Sequence, residues 1–227
     1  MRKVVRFSVE RARLAQRLIA ERVVEKDELA GGVRSVGGVD VSYVGDLAVT
    51  AATVVDAKSL KLVDKSLAKV RVEFPYVPTL LAFREAGPMI AAVKKLRSKP
   101  DVLLVDGNGR LHPLGAGIAC QVGLALDIPT VGVAKKLLCG SIGEWRGDEA
   151  PVLVGDRVAG AALKLGSKII YVSVGHKVSL KTAVELVRAL TRRGYGLPEP
   201  LRLAHAEAVA AARALRGSGS KGKPLFL

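Results

Sequence analysis

Residues 36–72 read VGGVDVSYVGDLAVTAATVVDAKSLKLVDKSLAKVRV, and this stretch decides the fold. It falls into three strand-like runs: Val36–Val44, Leu47–Asp56 and Leu60–Val72. Gly45-Asp46 and Lys58-Ser59 separate them, short polar connections of the kind that close hairpins. The spacing predicts an antiparallel meander. Before it, a helical pattern starts at Ser8, with Leu14, Ala15, Leu18, Ile19 and Val23 on one face and Arg11, Arg17 and Arg22 on the other. Gly31-Gly32 breaks that pattern.

After the meander the texture changes. Phe74-Pro75-Tyr76-Val77-Pro78 is a loop punctuated by proline; it leads into Leu80–Glu85, and Pro88 is placed to open a new helix running to about Arg97. Val102–Val105 is short and wholly apolar, as buried parallel strands are. A small-residue helix over Gly115–Leu126 and a second buried strand, Thr130–Val133, follow. Further strands are expected at Val152–Val154, Val158–Lys164 and Ile169–Val174. A helix capped by Ser179 would reach Arg193, and a last one would cover Glu199–Leu215. Strands first, then alternation of helix and strand, predict an α/β fold. Its mixed sheet would be antiparallel at one side, parallel at the other and covered by helices. One domain, residues 1–216, accounts for the pattern; 217–227, rich in Gly, Ser and Lys, is expected to be a flexible basic tail.

Composition narrows the function class. The 227 residues carry 36 Lys and Arg against 21 Asp and Glu, a net charge of +15. With 49% hydrophobic residues the chain can bury a core, so it is not a disordered cationic tail. No apolar run approaches the roughly 18 residues that cross a bilayer, so no membrane partner is expected. The Arg-rich start carries Glu10 and Glu21 and no apolar segment before a cleavage site, so it reads as folded and not as a targeting peptide. Cys120 and Cys139 are too few for a disulfide scaffold or a zinc site and fit a reducing compartment, the cytoplasm. The charge points to a polyanion such as nucleic acid; a solvated cationic face is the plain alternative.

Two carboxylates stand out by position. Asp40 lies inside Val36–Val44, and Asp106 ends Val102-Leu103-Leu104-Val105-Asp106. Strands are depleted in Asp, and a buried carboxylate is costly unless paired or bound to metal. If the two strands are neighbours, both carboxylates meet at one site suited to Mg²⁺ or Mn²⁺, which supports phosphodiester hydrolysis. Asp106 before Gly107 reads equally as the start of a turn. Gly107-Asn108-Gly109-Arg110-Leu111-His112 follows a strand but is no dinucleotide fingerprint, since His112 stands where Gly is required. Its glycines would let backbone approach a flat ligand. His112 reads either as a phosphate contact or as a hydrogen-bonded structural residue, and Lys135 as a phosphate counter-charge or a surface lysine. His205 shares a helical face with Leu201, Ala208 and Ala212, which reads as a buried structural histidine.

Taken together, the segments resemble the endonuclease V family of the ribonuclease H-like fold. The matching pieces, in order, are Gly38-Val39-Asp40-Val41-Ser42-Tyr43, Pro75-Tyr76-Val77-Pro78 and Phe83-Arg84-Glu85-Ala86-Gly87-Pro88. Then come Val105 to Pro113, Gly132-Val133-Ala134-Lys135, Val174 to Ser179 and Leu197 to His205, so the resemblance spans about residues 35–205. It implies a Mg²⁺-dependent endonuclease of DNA repair, with Mn²⁺ substituting, which cuts the second phosphodiester bond 3′ to deoxyinosine. DNA containing deoxyinosine is the implied partner, with inosine-containing RNA as a second substrate and a monomer as the working form. Asp40, Asp106 and Glu85 match the family's metal-binding acids. Lys135 matches a lysine that balances charge at the scissile phosphate, His205 a histidine near the acids, and His112 one that supports the loops. Pro75, Tyr76 and Pro78 match a wedge whose rigid aromatic fills the gap left by a displaced base. Leu80, Leu81, Gly107, Asn108 and Gly109 would wall the base pocket. Lys136 departs from the pattern, standing where a small residue is usual. Another ribonuclease H-like nuclease would share the aspartates but gives no reason for the Pro-Tyr-Val-Pro segment. A non-catalytic binder would gain nothing from three carboxylates beside phosphates.

Overall fold

The meander forms as its sequence predicts. β1 (Ser35–Val44) pairs antiparallel with β2 (Leu47–Asp56), and β2 with β3 (Leu62–Arg71). β3 starts late because Asp56 caps the preceding turn: its Oδ1 accepts from the N–H groups of Lys58 (3.2 Å) and Ser59 (2.7 Å), and Leu60 takes a left-handed φ of 55°. This computed structural model describes residues 8–29 and 31–219. The arginine-rich first residues and positions 220–227 of the expected tail lie outside the described residues.

Beyond β3 run α2 (Leu81–Val93), β4 (Val102–Asp106), α3 (Ile118–Leu126) and β5 (Thr130–Ala134). Then come β6 (Ser141–Ile142), β7 (Glu149–Val154), β8 (Arg157–Leu165), β9 (Lys168–His176), α4 (Leu180–Ala189) and α5 (Glu199–Gly219). The strand order is β3-β2-β1-β4-β5-β9-β8-β7-β6. β1, β4 and β5 are parallel, whereas β9 returns antiparallel to β5. The parallel part is therefore central and flanked on both sides by antiparallel strands, not placed at one side. β6 has two residues, too few to carry a periodic signal.

β4 is buried on both faces, which is why its sequence is apolar without alternation. Leu103 and Val105 pack with Met89 of α2 and Ile118 and Val122 of α3. Val102 and Leu104 pack with Val184 and Val187 of α4 and Leu201 of α5 on the other face. Each fully buried Val or Leu contributes about 1.5–3 kcal/mol, so β4 anchors the sheet. α5 crosses β1 where Gly38 leaves room: a Cβ there would lie 2.3 Å from the Pro200 backbone. The Thr53 hydroxyl fixes the crossing by donating to Pro200 O at 2.8 Å.

All five described helices differ from expectation. α1 (Val9–Arg22) ends well before Gly31-Gly32, and it buries Ala12 and Gln16 while Leu14 and Leu18 stay 55% and 52% exposed. Pro88 lies inside α2 and does not open a helix; Gly87 before it has no Cβ to clash with the proline ring, and Ala86, Pro88 and Met89 are buried on the sheet. α3 starts at Ile118 because residues 112–116 form a turn, with Gly115 N–H donating to His112 O at 2.8 Å. α4 keeps its Ser179 cap but ends at Ala189, whereas α5 runs to Gly219, past the predicted Leu215 and into the segment expected to be flexible. No described helix is long and apolar enough to cross a membrane.

Candidate active site

Parallel register brings the two strand aspartates together. Val39 pairs with Val105, so Asp40, midway along β1, and Asp106, at the carboxyl end of β4, stand side by side. Asp40 is only 7% exposed. Its Oδ1 accepts from the Val41 N–H at 2.7 Å, and its Oδ2 lies 2.6 Å from His205 Nδ1. The α5 crossing at Gly38 delivers that histidine. Asp106 Oδ2 receives the Lys135 ammonium at 2.6 Å, from the residue that follows β5. Ligand atoms of Asp40, Asp106 and His205 all lie within 4.8 Å of one another.

The cluster is electrostatically loaded. Burial raises the Asp40 pKa to about 6, with the Asp106 charge adding to it and His205 and Lys135 opposing. Burial likewise pushes Glu85, in α2, to about 7, and the charges of Asp40 and Asp106 add to that. Glu85 approaches from the α2 side, beside Tyr43, and stands outside the 4.8 Å group. Burial, then the charge of Glu85, lifts Tyr43 to about 12, its buried hydroxyl facing Glu85 and Arg84. Mutually repelling carboxylates with hard oxygen donors beside an imidazole fit a divalent cation, which would remove the repulsion.

A cleft of about 150 Å³ opens directly beside this centre. Tyr76, Val77, Pro78 and Thr79 form one side, Gly107 and Asn108 another, and Ile118 and Leu138 contribute apolar surface. Drug-sized ligands use roughly 300–1,000 Å³, so the cleft suits one small planar group. Tyr76 is 73% exposed at its edge. His112 is buried and its pKa is lowered by burial, so the ring is neutral at pH 7. Nδ1 accepts from the Leu114 N–H at 3.1 Å; Nε2 therefore carries the proton and donates to Thr79 O at 2.9 Å.

A sequence profile described as endonuclease V matches residues 17–206. The chain belongs to the endonuclease V family. An endonuclease V of Thermofilum pendens is 57% identical over 91% of this chain and 90% of its own length. One of Roseiflexus castenholzii is 43% identical over 86% and 89%. The crystal structure of the Streptomyces avermitilis endonuclease V superposes with a TM-score of 0.84 at 38% identity, covering 92% of this chain and 95% of that one. A Ciona intestinalis endonuclease V, solved with a 23mer DNA containing an inosine followed by a ribo-adenosine, superposes at 0.82 with 27% identity, covering 92% and 100%. The ribonuclease H-like mixed sheet and the endonuclease class expected from the sequence are thereby shown.

Within this endonuclease V frame, the structure gathers Asp40, Asp106, Lys135 and His205 at one point, with Glu85 beside them. His205 does not fulfil the buried structural reading: its side chain is 52% exposed while its helical neighbours Leu201, Ala208 and Ala212 are buried. Tyr76, Pro78, Leu81, Gly107, Asn108 and His112 line the cleft. Two residues expected in the pocket wall, Leu80 and Gly109, do not. Leu80 is fully buried beneath the start of α2, whereas Pro75, expected in the wedge, is exposed beside Tyr76. Gly109 packs on β9, where a Cβ would sit 2.0 Å from Val174 O, so its missing side chain serves the sheet and not a ligand. Thr79, Gln16 and Tyr43 went unnoticed in the sequence. For Gln16 the signal was present: a lone amide between Ala12 and Ala20, one turn either way along the helix.

Proposed function

We propose that this protein recognises deoxyinosine, a deaminated adenine, in DNA and hydrolyses the second phosphodiester bond on its 3′ side. The products are a 5′-phosphate and a 3′-hydroxyl. One observation carries the reading: Asp106 of the acidic centre runs straight into Gly107 and Asn108 of the cleft, so a base-sized pocket and a hydrolytic centre share one strand end. Tyr76 is placed to stack where a displaced base leaves a gap, and the cleft takes the extruded hypoxanthine. The inosine-containing DNA in the Ciona intestinalis structures supports the assignment.

Asp40, Asp106 and Glu85 would hold Mg²⁺, or Mn²⁺ in its place, with His205 bracing Asp40 through its Nδ1 contact. When bound, the ion supplies a Lewis acid that activates water and stabilises the departing oxygen. Lys135 neutralises Asp106 in the free protein and offsets phosphate charge once substrate and ion share the site. His112 keeps the Tyr76 loop in place as a neutral strut. Every group named belongs to one chain, so a monomer suffices. The same wedge and pocket serve inosine in RNA, and rates on matched DNA and RNA strands measure the preference.

The test is direct. A labelled strand carrying deoxyinosine or deoxyadenosine at one position is incubated with Mg²⁺ or with EDTA. Cleavage is expected only with inosine and Mg²⁺ together. Inosine-blind cutting, or retardation on a gel without cutting, contradicts the proposal.

A further inference from the structure

Thr79 stands in the base cleft with a φ of 68°, in the left-handed region that a β-branched residue rarely enters. Such a conformation persists only where its surroundings over-determine it. Two donors do so here. Thr79 O accepts from His112 Nε2 at 2.9 Å and from Gln16 Nε2 at 2.8 Å. The second proton of the Gln16 amide goes to Ala116 O at 3.3 Å. Exchanging the amide oxygen and nitrogen would set oxygen against two carbonyls, so the orientation is fixed by its partners.

Gln16 belongs to α1, one residue before the stretch matched by the family profile, and the helix is itself tied down from the cleft side. Arg110 Nη1 donates to Ala20 O at 3.0 Å and to Gly115 O at 2.8 Å. Just past the helix, Val24 N–H donates to His176 Nδ1 at 3.2 Å, and Lys177 N–H donates to Val24 O at 2.7 Å. The Val174 to Ser179 segment therefore acts at a distance from the acids, by holding the chain that carries Gln16.

We propose that Gln16 is a positioning residue for lesion recognition, locking the backbone at Thr79 so that the Tyr76 wedge is preformed before a base is displaced. This rests on the inosine reading above. A wedge whose loop is already in place loses less conformational entropy on binding, so Gln16 acts on affinity and not on the hydrolytic step.

Steady-state cleavage of a deoxyinosine strand tests this with Gln16→Met, which keeps side-chain length and removes both donors. The half-saturating substrate concentration is expected to rise about tenfold, with the rate at saturation within about twofold of wild type, for a coupling of roughly 1.4 kcal/mol. Against a Tyr76→Ala background the same substitution should have little further effect, because the two act as a unit. A general folding defect would not be masked by Tyr76→Ala. Unchanged half-saturation, or an undiminished effect in the Tyr76→Ala background, would overturn the proposal. Wild type treating inosine and adenine strands alike would instead remove the reading beneath it.

Discussion

Asp40 and Glu85 keep their protons well above the usual carboxylate range because Asp40 is buried, Glu85 is half-buried, and each faces other acids. Their folded pKa values, about 6 and about 7, exceed the ordinary 3.8 and 4.5. In metal-free protein their contribution to stability is thus full below the ordinary values and lost as pH rises through 6 to 7. The melting temperature of the metal-free form should carry a falling component over that window, and added Mg²⁺ should reverse it above pH 7. Mg²⁺ affinity should climb over the same window, because binding expels those protons; calorimetry showing no such climb contradicts the ligand assignment. Asp106→Asn should lower cleavage by at least about a thousandfold while sparing lesion binding, the scale expected for losing a preorganised charge at the reacting centre. It removes a repulsive neighbour of Asp40 and only a half-exposed pair with Lys135, which is worth about 0–1 kcal/mol. Metal-free Asp106→Asn should therefore melt no lower than wild type above pH 7. Tyr76→Ala should weaken inosine-strand binding by about 1–3 kcal/mol. With its side chain mostly in solvent, stability should change by no more than about 0.5 kcal/mol. A fluorescence titration and a melting curve measure both.

Strands proved more legible than helices. In the meander, turn residues bracket each run, and β4 announces itself by having no polar residue before Asp106. Periodicity on α1 pointed to its leucines, yet Gln16 is what the fold buries. Two backbone carbonyls, Thr79 O and Ala116 O, hold that amide in the interior, while the two leucines stay largely exposed. Pro88 misled because a proline usually ends or opens a helix; here Gly87 and burial against the sheet let α2 pass through it. The two strand aspartates were readable as isolated acids, but that His205 faces Asp40 depends on how α5 crosses β1, which no local pattern encodes. That crossing has its own test. Gly38→Ala would drive a Cβ into the Pro200 backbone, which has no flexible side chain to yield. A loss of about 1–3 kcal/mol in denaturant unfolding is expected, with a larger fractional loss of cleavage as His205 leaves Asp40. An unchanged unfolding midpoint contradicts the packing assigned to α5.

Across the whole molecule, a net charge of +15 accompanies a centre of three acids. The cationic exterior draws a polyanion and the acidic interior repels it until a divalent cation intervenes, so neither alone makes a nuclease. Duplex affinity should fall by about 0.9 log units per log unit of salt for each phosphate neutralised. The slope should be alike for inosine and adenine strands, because phosphate contacts carry no base information. On the proposed reading, the cleft beside Asp106 distinguishes the two strands and sets where the cut falls relative to the lesion. Mapping the cut on a 5′-labelled duplex with one deoxyinosine, at single-nucleotide resolution in Mg²⁺, tests this most directly. A single product ending one nucleotide 3′ of the inosine, with a 3′-hydroxyl, is predicted; cuts at the inosine itself, or scattered along the strand, would contradict it.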